Sequence, residues 1–229
     1  MAYDFLGLVN DVNRRLNEVE LTSTNFNTAI GFYAHAKDAV NWAIRSINQV
    51  EFEWPFNHST VSLVLTPGTA RYAFPVDMKS VAFDSFRVVR DDTLGNQTQY
   101  LHRLDYEEYL QKLADDEENT ANTSIRGLPH RVFRTPDFKF GVNPIPDKAY
   151  TLKYEYYKAG VDLVNATDVP TIPVAFRHII NEGAMAQAYL FRSNLEASEI
   201  SQRNFYQGIK NMRGILINRY DYARSTMRV

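Results

Sequence analysis

Trp54-Pro55-Phe56-Asn57-His58-Ser59-Thr60-Val61-Ser62-Leu63-Val64-Leu65 is the stretch where the chain changes its hydrophobic period. Before it, apolar residues recur every three or four positions. After it, Val61, Leu63 and Leu65 alternate with Thr60, Ser62 and Val64, the period of a strand with one buried face. Pro55 stands at the change. It lacks an N–H and clashes with a preceding helical turn, so a helix arriving from the N-terminal side ends here. All nine prolines lie between Pro55 and Pro173, and the flanking segments have none. The chain therefore reads as two helical ends around a proline-punctuated middle.

On the N-terminal side, Phe5, Leu8, Val9, Val12, Leu16 and Val19 share one helical face, which predicts a helix over 3–19. Asp4 suits its N-terminal dipole. Thr22-Ser23-Thr24-Asn25 supplies turn chemistry. Phe32, Ala36, Val40, Ala43, Ile44 and Ile47 mark a second helix over 28–50, antiparallel to the first. On the C-terminal side, residues 59–75 read as a β-hairpin around Thr66-Pro67-Gly68-Thr69. Further strands follow at 81–90, 99–104, 131–134, 138–142 and 150–157, with a turn at 91–96 and a flexible loop at 119–127. Residues 161–173 form a linker. Helices resume over 174–192 and from 194 to about 220. The expected fold class is α+β: a helical bundle formed by the N- and C-terminal helices (1–53 and 172–229), with an inserted antiparallel β-sandwich or barrel domain (54–171).

Composition narrows the function. With no cysteine among 229 residues, disulfide scaffolds, thiolate metal sites and cysteine nucleophiles are excluded. No apolar run approaches a bilayer span, and no signal peptide is expected. A net charge of −2 excludes a generally basic nucleic-acid coat. No phosphate-binding glycine loop, nucleophile elbow or H-E-x-x-H pattern is present. His178 and Glu182, four apart on a helix, lack a third ligand nearby, and a surface hydrogen bond is the expected role. No catalytic residue, metal or cofactor is expected, and the chain reads as a non-enzyme.

Two charged segments stand out. Residues 105–118 carry seven acids against Lys112. They form either a solvated helix and loop or an acidic protrusion facing a basic partner. From Phe176 onward eight basic residues face four acids. Arg and Tyr interleave in Arg219-Tyr220-Asp221-Tyr222-Ala223-Arg224, a composition common in interface hot spots. Arg213, Arg219, Tyr220, Tyr222, Arg224 and Arg228 are the expected partner-binding residues.

Several motifs in order carry a family resemblance. They are the helical hairpin, Trp54-Pro55-Phe56, the run from Gly68 to Asp77, Gly127-Leu128-Pro129, Pro144-Ile145-Pro146-Asp147 before the strand at 150–157, and Ile172-Pro173 before an alanine-rich helix. Over roughly 3–220 the chain resembles the head-to-tail adaptor, or tail tubular protein A, of short-tailed phages. The resemblance implies a structural virion protein in the tail, assembled in the host bacterial cytoplasm. It implies a twelve-membered ring that joins the portal protein to the tail nozzle (tail tubular protein B), with double-stranded DNA passing through the bore during ejection. It assigns the six partner-binding residues to the portal and turns the β domain toward tail components. A mild net charge suits such a conduit, since a strongly basic lumen would hold phosphates. The alternative is a glycan- or receptor-binding β-sandwich tail protein. Against it, the chain has only two tryptophans, and one of them, Trp42, falls on a predicted helix.

Overall fold

A computed structural model describes residues 2–90, 97–118 and 123–217. Helix α1 (Phe5–Arg15) starts where the Asp4 carboxylate accepts the Gly7 N–H at 2.8 Å, and it buries Phe5, Leu8, Val9 and Val12. The helix ends short of the expected residue 19. The backbone turns left-handed at Asn17, a residue that tolerates that conformation. The polar turn then brings Phe26 back edge-on to Phe5, with ring centroids 5.1 Å apart.

Helix α2 (Phe32–Val50) buries Ala36, Ala39, Val40, Ala43, Ile44 and Ile47. Beyond its C-terminus, the Trp54 indole N–H donates to the Ile47 carbonyl at 2.8 Å, and its ring stacks on Phe56. The proline break is thus closed by a fully buried tryptophan.

The chain divides into two units, residues 1–57 with 159–229 and residues 58–158. In the first, a short 3₁₀ turn (Val174–Phe176) after Pro173 leads into α5 (Arg177–Phe191). Helix α6 (Leu195–Leu216) follows, with Asn194 accepting the Ala197 N–H. Gly183 of α5 lies where three helices meet: a Cβ there would stand 2.7 Å from Phe205 of α6 and 2.8 Å from Ala43 of α2.

The second unit holds strands β1 (His58–Val64), β2 (Arg71–Ala73), β3 (Met78–Arg90), β4 (Gln97–Tyr100), β5 (His102–Arg103), β6 (Arg131–Arg134), β7 (Lys139–Asn143) and β8 (Thr151–Lys158). Helices α3 (Tyr106–Lys112) and α4 (Ala114–Glu118) follow β5. One sheet has the order β1-β8-β3-β4 and the other β2-β7-β6-β5. All pairings are antiparallel except β5 with β6. Leu65, Phe86, Val88, Leu152 and Tyr154 pack with Val132, Phe140 and Val142 in one core. Phe86 stacks on Tyr154 at 4.5 Å and meets Phe140 edge-on. The expected α+β class, helical ends around an antiparallel β region, is the observed one.

The expected hairpin over 59–75 does not form. β1 pairs with β8 and β2 with β7, so the turn at 66–69 carries the chain from one sheet to the other. The turn itself is as expected. Gly68 takes φ +76°, and the Tyr72 hydroxyl bonds the backbone of Thr66 and Thr69. Alternation fixed the faces of both strands, but their partners are far away in sequence. Residues 91–96, 119–122 and 218–229 lie outside the described residues, and with them the expected turn and part of the expected loop.

Candidate assembly interface

The basic residues of the C-terminal helices fall into two groups. One group is used inside the chain. Arg177 opens α5 and donates to Asp11 of α1 at 2.7 Å and to the Ala2 and Gly7 carbonyls. Asn181 adds a bond to the same Asp11 oxygen. Arg192, at the C-terminal end of α5, pairs with Glu18 and lies over the Phe32 ring. Arg213 of α6 pairs with Glu51, just beyond α2, at 2.7 Å. These pairs tie α5 and α6 to the N-terminal helices across long sequence separations. Of the expected partner-binding residues, Arg213 is therefore engaged within the chain. The other five, Arg219, Tyr220, Tyr222, Arg224 and Arg228, lie outside the described residues.

The second group faces outward. α6 buries Ser198, Ser201, Phe205, Ile209 and Met212. A helix with that buried face points Arg203, Tyr206 and Lys210 away from the core. Tyr206 is half exposed, and both cations are exposed. Among the described residues neither Arg203 nor Lys210 has a carboxylate partner. The three recur at intervals of three and four, a spacing legible in the sequence. They form a basic-aromatic stripe on the helix that leads directly to residues 218–229.

The acidic stretch 105–118 is partly structural. Asp105 caps α3, and Lys112 pairs with Glu108. Glu117 of α4 receives Arg71 of β2 through Nε at 2.8 Å and Nη2 at 2.9 Å, and it also accepts the Tyr109 hydroxyl. Burial pushes the Tyr109 hydroxyl pKa up, and the neighbouring Glu117 carboxylate adds to the rise. The hydrogen bond to Glu117 in turn raises the Arg71 pKa. One acid of the run is thus the anchor of α4 on the sheet. Tyr109 stacks on the buried Phe133 at 3.9 Å, which seats α3 on the same sheet.

Other candidate chemistry is also absorbed by the fold. Glu182 of α5 accepts Arg15 of α1 at 2.8 Å, so this carboxylate serves a helix–helix ion pair. Both tryptophans serve the helical unit: Trp54 is buried, and Trp42 packs against Phe205 at 5.7 Å. Among the described residues no helix is long and apolar enough to cross a membrane.

The sequence model of the SU10 adaptor protein family matches residues 3–229. No curated protein matches the chain.

Proposed function

Because the chain belongs to the SU10 adaptor protein family, whose members are structural adaptors of phage virions, we propose that it joins the portal to the tail nozzle as one subunit of a head-to-tail ring. The observation that carries this reading is the family match across almost the whole chain. The ring has twelve copies by the resemblance given above, and double-stranded DNA passes through its bore. Assembly takes place in the host cytoplasm, and the mature location is the virion tail.

The portal-facing element is the end of α6 with residues 218–229. Arg203, Tyr206 and Lys210 support that assignment, because outward cations with no carboxylate partner among the described residues are available to a partner protein. Arg219, Tyr220, Tyr222, Arg224 and Arg228 extend the same chemistry, and Arg213 holds α6 in place through Glu51. The glycan-binding alternative gains no support from the tryptophans, since both pack in the helical unit.

The experiment is electron microscopy of the protein mixed with purified portal. A ring stacked on the portal ring is expected. Truncation after Arg219 should leave a folded protein that no longer joins the portal. A truncated chain that still stacked would remove the tail from the interface.

A further inference from the structure

The tip of the β6–β7 hairpin holds a side chain that the fold does not need. Arg134 pairs with Phe140 in register, and residues 135–138 make the turn. The turn is firmly built. Thr135 is 2 % exposed; its N–H donates to the Lys139 carbonyl at 3.0 Å, and its hydroxyl accepts the Lys139 N–H at 3.2 Å. The same hydroxyl donates to the Asp137 carboxylate. The residue that closes the turn, Phe138, has φ +56°. Short hairpin loops commonly place glycine at such a left-handed position, because a Cβ is strained there. Among the described residues the other two non-glycine positions with positive φ, Asn17 and Ser193, are small and polar. Among the described residues Phe138 alone puts a bulky ring in that conformation, and the ring is 69 % exposed.

Strain and solvent exposure are two separate costs, and neither is offset by burial in the sandwich core. The charges around the ring point to what offsets them. Lys139 neutralises Asp137 at 2.8 Å and holds its carboxyl pKa down at about 2. Arg134 has no carboxylate partner among the described residues, and its guanidinium lies over the Phe138 ring at 5.7 Å. The tip thus presents an aromatic knob with one uncompensated cation against it, the Arg–aromatic pairing typical of hot spots.

We propose that Phe138 and Arg134 form a docking knob for a different virion protein, one that presents an apolar socket with a carboxylate at its rim. Charge complementarity selects the carboxylate, and the exposed ring selects the apolar socket. The inference rests on the adaptor reading and adds to it the point at which the β unit engages its partner.

The test places a photo-crosslinking benzoylphenylalanine at position 138 in chains assembled into virions. Adducts are mapped by mass spectrometry. The expected adduct joins position 138 to another virion protein, at a segment with apolar side chains and a nearby Asp or Glu. An adduct confined to a second copy of this chain, or no adduct in virions that contain the chain, overturns the proposal. Phe138→Gly supplies an independent readout. Relief of the strained φ should raise Tm by about 2–4 °C, while particles carrying the variant lose the crosslinked protein. A Tm that falls, or particles that keep that protein, overturns it equally. Wild-type chain absent from virions would instead refute the adaptor reading itself.

Discussion

Gly183 shows how tightly the helical unit is fitted. It lies on α5 between the Phe205 ring and the Ala43 methyl, both fully buried. Replacing a mid-helix glycine by alanine ordinarily gains about 1 kcal/mol in helix propensity. Here the new methyl would overlap a ring with no space to retreat, and overpacking costs about 1–3 kcal/mol. Gly183→Ala is therefore expected to lower stability by about 1 kcal/mol net, read as a lower urea midpoint with unchanged slope. Tyrosines give a second expectation at this scale. Tyr3 donates its hydroxyl to the Ile172 carbonyl at 2.6 Å, and burial pushes its pKa up to about 12. Tyr154 in the sandwich core is raised to about 12 by the same cause. A tyrosine whose folded pKa exceeds its unfolded value stabilises fully below the unfolded value of about 10. That contribution is lost as pH rises through the folded value. Stability should thus decline between about pH 10 and 12. Tyrosinate absorbance should rise together with loss of circular dichroism, and a Tyr3→Phe, Tyr154→Phe variant should lack that part of the decline.

Among the described side chains of helix α4, Glu117 is the one that ties it to the sheet. Glu117 takes both the Arg71 guanidinium and the Tyr109 hydroxyl, and both its own side chain and that of Arg71 are only partly exposed. Hydrogen bonds to charged groups contribute about 1.5–3 kcal/mol when well shielded, and less when water competes. Glu117→Gln should cost about 1 kcal/mol. It should also accelerate amide exchange in 106–118 while leaving the β1–β8 pairing protected. Acceleration spread evenly over the whole sandwich would contradict the anchoring role. This contact leaves no local signature, because a run of seven acids looks the same whether or not one of them meets an arginine 46 residues away. The C-terminal arginines repeat the lesson. Arg177, Arg192 and Arg213 read as surplus positive charge until Asp11, Glu18 and Glu51 close on them. Arg203 and Lys210 remain as the cations that face outward.

Each of the two units has its own core, and the β unit has favourable ends for excision. β1 begins at His58 and β8 ends at Lys158, and His58 stands opposite Tyr157 in the register. The ends of residues 58–158 are therefore neighbours within one pair of strands. Expressed alone, this segment should fold cooperatively, with dispersed amide resonances and the same β1–β8 exchange protection as the full chain. A disordered fragment would mean that the sandwich needs the helices in order to form.

What the sequence determined by itself was everything carried by local periodicity. The 3.6-residue stripe of α2, the alternation through Val61, Leu63 and Leu65, the turn at Gly68 and the helix restart after Pro173 depend on neighbours a few residues apart. The α+β class and the family resemblance followed from their order. Choices among distant partners were left to the three-dimensional packing. β1 pairs with β8 rather than with β2, because antiparallel pairing and a shared core are settled by the whole sandwich and not by a turn of four residues. Phe138 read as the first residue of a strand, since a phenylalanine before an alternating run has that pattern whatever its φ. Its left-handed backbone and exposed ring are set by the closure of the hairpin, and it was that closure that separated a core residue from a surface knob.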